Sequence, residues 1–121
     1  MEKKVLTLAV SKQWFDMIES GEKTEEYREI KEYWISRLFE MPKELTCIVP
    51  FIPLMVKFHF LNIKKLLEYV VPFTHVLFIN GYGDDKPRIK KEIESITIGK
   101  PQKGWCPYEF LDKEYFVIKF K

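Results

Sequence analysis

The sequence has few of the residues that form metal sites or covalent active sites. Its cysteines are Cys47 and Cys106, and its histidines are His59 and His75. These residues do not have the spacing of a zinc ligand set, so we expect no metal ion. The chain also lacks a Ser/His/Asp order and a glycine-rich phosphate loop with its lysine, and we expect no cofactor. The scarcity of cysteine fits a reducing, cytoplasmic location.

Long apolar runs are missing too. The longest, CIVPFIPLMV, has ten residues and contains Pro50 and Pro53, so it is too short to cross a bilayer. The apolar part of MEKKVLTLAV is too short for a signal peptide. We therefore expect a soluble protein that is not exported and has no membrane partner.

Neither sign of charge dominates the composition. Twenty Lys and Arg residues oppose eighteen Asp and Glu residues, for a formal net charge of +2. This balance neither requires nor excludes a nucleic-acid partner. The 121 residues, 46% of them hydrophobic, are enough for one core and predict a single domain over residues 1–121.

Strands outnumber helices in the pattern of the chain. Segments typical of strands lie at 4–10, 23–30, 74–80, 88–99 and 114–120. Segments with helical periodicity follow Ser11, cover 31–39 and end before Pro72. The strands do not alternate regularly with the helices. We therefore expect an α+β fold, a small and mostly antiparallel β-barrel of about five strands with two to three appended helices.

The first predicted helix has well-marked ends. Ser11 is typical of an N-cap, and Gly21 suits the left-handed residue that follows a helix. Trp14 and Ile18 lie on one apolar face between them. Trp14, like Trp34 in the second helix, is expected in the core.

Charges of both signs are concentrated in SGEKTEEYREI, residues 20–30. In an extended segment Thr24, Glu26 and Arg28 share one face, so Glu26 and Arg28 can pair. Lys23 joins them only if the strand begins after it. The segment is either a set of exposed ion pairs, which contribute little to stability, or a polar site.

A second candidate is NGYG at residues 80–83, followed by DDKPR. Asn-Gly is a strong hairpin signal, so a structural turn would explain it. Alternatively, the amides of Gly81 and Gly83, beside Arg88, could bind a phosphate while Tyr82 stacks on a base.

A third candidate is KPQKGWCP at residues 100–107. Trp105 could stack on a base while Lys100 and Lys103 meet phosphates, or it could close one end of a barrel. Cys106 has no basic partner beside it in the sequence and is expected to be unreactive.

Taken in order, four segments resemble the ASCH family, which has a PUA-like fold. They are LTLAVSKQWFDMIESGEKTEEYREI, YWISRLF, HVLFINGYGDDKPRIKKEIESITIG and YFVIKF. The family motif G-x-K-x-x-E-x-R is matched by Gly21, Lys23, Glu26 and Arg28. The resemblance covers about three quarters of the chain.

The resemblance implies a small barrel with a cleft in which the charged residues of the motif gather. It also implies a protein that binds RNA or a nucleotide-like ligand. Lys23 and Arg28 would contact phosphate or a base edge, and Glu26 would hold Arg28. The ligand-binding candidates are Lys23, Glu26, Arg28, Asn80, Tyr82 and Trp105, with Gly21 as the motif glycine.

A hydrolase is the alternative that the resemblance leaves open. One group of the family hydrolyses the N4-acetyl amide of acetylcytidine with a lysine, a threonine and a glutamate, and ribonuclease activity is ascribed to others. Lys23 matches the lysine, but Glu26 occupies the position of the threonine. In an enzyme, Lys23 or Glu26 would serve as the general base.

Residues 42–72 look like an insertion between the second helix and the strand that leads to NGYG. This segment could cover the cleft, extend the core or form a subunit interface. The oligomeric state is left open.

Overall fold

The computed structural model describes residues 4–40 and 67–121. Within these residues no helix is long and apolar enough to cross a membrane. The helix predicted to end before Pro72 lies mostly outside the described residues. Its described part, Leu67–Tyr69, is a 3₁₀ turn.

The chain divides into two compact units. The first consists of Met1–Tyr27 with Pro72–Lys121, and the second of Arg28–Val71. The prediction of a single domain with an insertion at 42–72 stays a prediction.

Five strands and two α-helices form the regular structure of the described residues. They are β1 (Val5–Val10), α1 (Lys12–Ser20), β2 (Glu25–Arg28), α2 (Glu32–Leu38), β3 (His75–Asn80), β4 (Arg88–Gly99) and β5 (Tyr115–Phe120). The strands form one sheet in the order β1-β3-β4-β5-β2. β4 is antiparallel to both of its neighbours, whereas β1 is parallel to β3. The predicted α+β fold with five strands is confirmed.

The sheet formed by the described residues is open, with β1 and β2 at its edges, so the expected closed barrel is not found there. That expectation came from the number of short strands, and this number does not determine which strands pair with each other. β1 and β3 pair in parallel up to Val10 and Asn80, and a parallel pair needs a long connection that turn signals do not reveal. β4 shifts register between Ile93 and Ser95, so its first half pairs with β3 and its second half with β5.

The core of the first unit comes mainly from β1, β3, β5 and α1. Its apolar side chains that are at most 7% exposed include Leu6, Leu8, Val10, Phe15, Ile18, Val76, Phe78, Phe116, Ile118 and Phe120. The rings of Phe78 and Phe120 lie 4.9 Å apart between centroids. Burial of this apolar area is the main force that holds the sheet against α1.

The ends of α1 differ in how they are capped. The Ser11 carbonyl accepts the first helical hydrogen bond, from the Phe15 N–H at 2.9 Å, but the Ser11 side chain makes no capping bond. At the other end Gly21 is left-handed, with φ of 86°, as predicted. The hydroxyl of Ser11 is therefore not committed to the helix.

Gly21→Ala should lower the free energy of unfolding by about 1–2 kcal/mol. A Cβ at Gly21 would meet no atom within 4 Å, so the cost comes from the positive φ alone. Gly99→Ala is the matched control, because its φ is not in the left-handed region and its Cβ would contact Val117 at an ordinary 3.8 Å. Urea denaturation measures both variants, and equal losses would contradict the prediction.

In the second unit, the described residues just before and just after the segment 41–66 are hydrogen-bonded to each other. Phe39 forms an antiparallel bridge with Val70, and the Glu40 N–H donates to the Tyr69 carbonyl at 2.8 Å. The described residues on either side of this segment therefore lie next to each other.

Candidate functional site

Lys23 is the lysine of the predicted motif, and its side chain is fully buried, with an exposed fraction of 0%. Its backbone N–H donates to the Met17 carbonyl at 3.0 Å, which fixes the residue against the end of α1. β2 begins only at Glu25. Lys23 therefore lies on the turn before the strand, which is the arrangement that allows it to meet Glu26.

The Lys23 ammonium lies among polar and aromatic groups of the first unit. Nζ donates to the Trp105 carbonyl at 2.6 Å and lies 3.4 Å from Glu26 Oε1. It also lies 4.7 Å from the ring centre of Tyr27 and 5.5 Å from that of Trp14. We call these five residues the Lys23 centre. Each contact offsets part of the large cost of removing a cation from water.

Glu26 completes the charge balance of this centre. It is 6% exposed, and its Oε1 also accepts the Tyr27 backbone N–H at 3.0 Å. A buried ion pair is weak evidence for stability, because desolvation of both charges opposes their attraction. A buried ion pair is also costly to keep, which leaves both a structural and a functional role open for the centre.

The Tyr27 hydroxyl forms hydrogen bonds both within β2 and with the loop at 100–107. It donates to Glu25 Oε1 at 2.8 Å and accepts the Gln102 N–H at 2.9 Å. Burial raises the pKa of Tyr27 far above its usual value; the Gln102 bond lowers it, and Glu25 raises it further. The hydroxyl therefore stays protonated in the folded protein at ordinary pH.

The charges of the Lys23 centre affect the pKa of the Cys106 thiol. Burial raises the pKa of the Cys106 thiol above its usual value, the Lys23 cation lowers it, and Glu109 and Glu26 raise it. The burial effect is the largest, so the thiol is protonated at neutral pH and is a poor nucleophile. Lys23 is a basic neighbour that the sequence did not reveal, because 83 positions separate the two residues.

Trp105 contributes its backbone carbonyl to the Lys23 centre, whereas its ring packs against other residues. The side chain is half-buried and packs against a buried cluster that includes Tyr27, Tyr115 and Val117. The open sheet leaves no barrel end for it to close in the described residues. The Lys23 bond to its carbonyl thus fixes the loop that presents the indole.

Asn80 and Tyr82 do not belong to the Lys23 centre. They lie in another region of the first unit, where the parallel strands β1 and β3 end. A pocket of about 290 Å³ opens here, lined by Ala9, Val10, Ser11, Gly81 and Tyr82. The Gly81 N–H donates to the Val10 carbonyl at 3.0 Å, which holds the turn beside β1. Ligands commonly bind beyond the carboxyl ends of parallel strands.

The Tyr82 ring projects from this turn with 87% of its surface exposed. Positive φ values at Gly81 and Gly83 shape the turn, and Arg88 donates to the Gly83 carbonyl at 3.1 Å. The seven residues between β3 and β4 make this a longer loop than a two-residue Asn-Gly hairpin. The loop presents an aromatic ring beside a partly apolar pocket.

Arg28 belongs to the second unit, where its guanidinium carbon lies 5.2 Å from the ring centre of Trp34. Trp34 and Trp14 were both expected in the core, but both are half-buried. Each has a cation against its ring, and neither was assigned to a site from the sequence. An aromatic face close to a buried or half-buried cation is the signal that could have found them.

No group of three or more His, Cys, Asp or Glu side chains that could bind a metal ion occurs among residues 4–40 and 67–121.

No protein-family model matches this chain, and neither a curated protein nor a solved structure does. Membership of the ASCH family therefore stays a prediction.

Proposed function

We propose that this protein binds a nucleotide or a short single-stranded RNA, with a base stacked on Tyr82. The observation that carries the proposal is the Tyr82 ring, 87% exposed, beside the pocket of about 290 Å³. Base–aromatic stacking is the main sequence-tolerant contribution to single-strand binding. Ser11, whose hydroxyl does not cap α1, also lines the pocket.

Charge close to the Tyr82 loop supports a phosphate-bearing ligand. Lys86 lies in this loop and Arg88 and Lys90 lie at the start of β4, and all three are exposed. Asp84 lies 3.8 Å from Arg88, a distance at which exposed pairs contribute little. These cations would meet phosphates while the ring holds the base.

Lys23 and Glu26 take a positioning role in this proposal. The Lys23 ammonium is fully buried and bonded to the Trp105 carbonyl, so it fixes the loop of Trp105. A PUA-like, ASCH-like scaffold remains part of the proposal. The hydrolase alternative has less support, because a general base must reach its substrate and Lys23 is enclosed by protein atoms.

Tyr82→Ala should weaken binding of a fluorescently labelled, short single-stranded RNA by about 1–3 kcal/mol, or roughly fivefold to 150-fold. Tyr82→Phe keeps the ring and should bind almost normally. Fluorescence anisotropy at several salt concentrations measures both, because phosphate contacts make affinity fall as salt rises.

Tyr108→Ala is the matched control, since Tyr108 is 81% exposed but does not line the pocket. Equal affinities for Tyr82→Ala and Tyr108→Ala would overturn the stacking role. Absence of salt-dependent binding by the unmodified protein would overturn the proposed function. Incubation with acetylcytidine and with RNA, followed by product analysis, tests the hydrolase alternative in the same preparation.

A further inference from the structure

On one face of the sheet, the side chains of β1, β3 and the first half of β4 are half-buried or exposed. The other face is the core face, where Leu8 pairs with Phe78 and Phe78 pairs with Ile89. Leu8 and Phe78 are at most 1% exposed. Side chains alternate along a strand, so the residues on either side of these three share the opposite face. We call that opposite face the outer face.

The first row of the outer face begins at the Tyr82 pocket. Ala9 lines the pocket and pairs with Ile79, which in turn pairs with Arg88. Directly paired residues have their side chains on the same face of a sheet. Arg88 therefore lies on the same face as one wall of the pocket, two strand spacings or roughly 10 Å from Ala9.

The second row places another cation beside the first. Thr7 pairs with Leu77, and Leu77 pairs with Lys90. Lys90 therefore lies roughly 7 Å further along β4 than Arg88. Leu77 and Ile79 are half-buried and form an apolar strip beside the two cations. A nucleic-acid single strand can place its phosphates on such cations and its sugars and bases on the strip.

The Lys90 ammonium is available to a ligand. It is exposed, and it forms no hydrogen bond or ion pair within the described part of the chain. Arg88 is partly balanced, because the exposed Asp84 lies 3.8 Å away and the Gly83 carbonyl accepts a hydrogen bond from its guanidinium. The charge that a phosphate would neutralise is therefore clearest at Lys90.

The sign of the charge on the outer face changes at the third row. Glu92 pairs with His75, and its Oε1 lies 3.4 Å from Lys121 Nζ. The Glu92 carboxylate would repel a phosphate, and it also engages the nearby lysine. The part of the outer face that suits an anionic strand therefore ends after Lys90.

We propose that the ligand is a single-stranded RNA of at least three nucleotides, whose backbone runs from the Tyr82 pocket along β4. One base stacks on Tyr82, and the next two phosphates lie against Arg88 and Lys90. This inference rests on the proposed function and decides between its two ligands, because a mononucleotide would leave Lys90 unused. An acidic peptide would match the cations but would leave the Tyr82 ring without a base to stack on.

A series of ligand lengths tests the proposal. Uridine monophosphate and the uridine di-, tri- and hexanucleotides compete with a fluorescently labelled uridine hexanucleotide, and anisotropy reports the competition. Affinity should rise about twofold to fivefold for each added phosphate contact up to the trinucleotide. Beyond it, affinity should rise only by the number of registers in which the hexanucleotide can bind. Equal affinities for uridine monophosphate and the hexanucleotide would overturn the inference.

Lys90→Gln tests the second phosphate contact. This variant should bind the labelled hexanucleotide about twofold to fivefold more weakly, with a salt slope smaller by roughly 0.7. It leaves the hydrogen bond between Arg88 and Gly83 intact. Lys113→Gln is the matched control, because it removes the same charge from an exposed position before β5 and should keep both affinity and slope. Equal losses in the two variants would show that net charge alone matters and would contradict the assignment of Lys90.

Glu92→Gln should instead strengthen binding. Loss of the carboxylate removes its repulsion and releases Lys121, so the hexanucleotide should bind about twofold to fivefold more tightly. The trinucleotide should bind as before. Glu22→Gln makes the same change of net charge at an exposed position of the first unit and should leave both affinities unchanged. The same gain for both lengths in both variants would mean that the anionic strand does not end at Glu92.

The outcomes also distinguish this inference from the proposed function. Binding that Tyr82→Ala weakens, but that is equal for uridine monophosphate and the hexanucleotide, would overturn the inference alone. A hexaglutamate peptide that competes as well as the hexanucleotide would overturn RNA as the occupant of the outer face. The expected length series and Lys90→Gln effect, without an effect of Tyr82→Ala, would support the phosphate contacts and overturn the stacking. Absence of binding by every RNA would overturn both proposals.

Discussion

Lys23→Ala is expected to lower the free energy of unfolding by about 3–5 kcal/mol, the range found when one member of a buried ion pair is removed. The Glu26 carboxylate would stay buried without its nearby ammonium, which lies 3.4 Å away. The Trp105 carbonyl would lose a donor at 2.6 Å. Urea denaturation followed by circular dichroism measures the loss.

An exposed lysine–carboxylate pair provides the matched control. Lys12 Nζ lies 2.6 Å from Asp16, closer than in the buried pair, but the two side chains are 78% and 52% exposed. Water screens such a pair, so Lys12→Ala should cause no measurable loss. A similar loss in both variants would show that burial does not set the contribution of Lys23.

A double variant separates the contribution of the two charges to stability from the contribution of side-chain packing in the Lys23 centre. Lys23→Met/Glu26→Gln removes both charges, keeps similar side-chain volumes and keeps an acceptor for the Tyr27 N–H. Replacing a buried pair in this way is often neutral, so most of the Lys23→Ala loss should be recovered. If this variant still binds RNA, the Lys23 ammonium does not contact the ligand.

Alkaline pH should destabilise the protein through Tyr27. Its folded-state pKa is raised above the usual value near 10 by burial. Above pH 10 the unfolded chain therefore loses the tyrosine proton while the folded chain retains it. The unfolded state then binds fewer protons, so stability falls as pH rises, by up to about 1.4 kcal/mol per pH unit from this one group.

Tyr27→Phe isolates that contribution. The variant loses the hydrogen bonds to Glu25 and Gln102 and is less stable near neutral pH, but its stability should fall less steeply above pH 10. Tyr33→Phe, at a ring that is 56% exposed, should keep the steep fall. Urea midpoints at several pH values between 8 and 11 give the slopes, and identical slopes for all three proteins would contradict the assignment to Tyr27.

The local features of this fold were accessible from the sequence because they depend on neighbouring residues. Alternation of side chains marked β4 at 88–99 with the observed limits, and the lack of a Cβ marked Gly21 as the left-handed residue. The limits of β2 were less accessible: the predicted strand covered 23–30, whereas β2 begins at Glu25, and only this later start lets Lys23 meet Glu26.

The features that the sequence did not reveal depend on contacts between distant segments. The parallel pairing of β1 and β3 has no local signal, and without it the count of strands pointed to a barrel. The burial of Lys23 needs the Trp105 carbonyl, 82 positions away. Helical periodicity indicates only an apolar face, so it did not show that Trp14 and Trp34 are half-buried or that cations approach their rings.

Lys23 and Trp105 are 82 positions apart in the chain, and this separation affects when their hydrogen bond can form during folding. During synthesis residue 23 emerges long before residue 105, so the ammonium stays hydrated while α1 can already form. Contacts of such high sequence separation carry a large loop-closure entropy and tend to form late. The Lys23 centre can therefore assemble only after residue 105 has been made, and a chain truncated before that residue would keep an exposed lysine in its place.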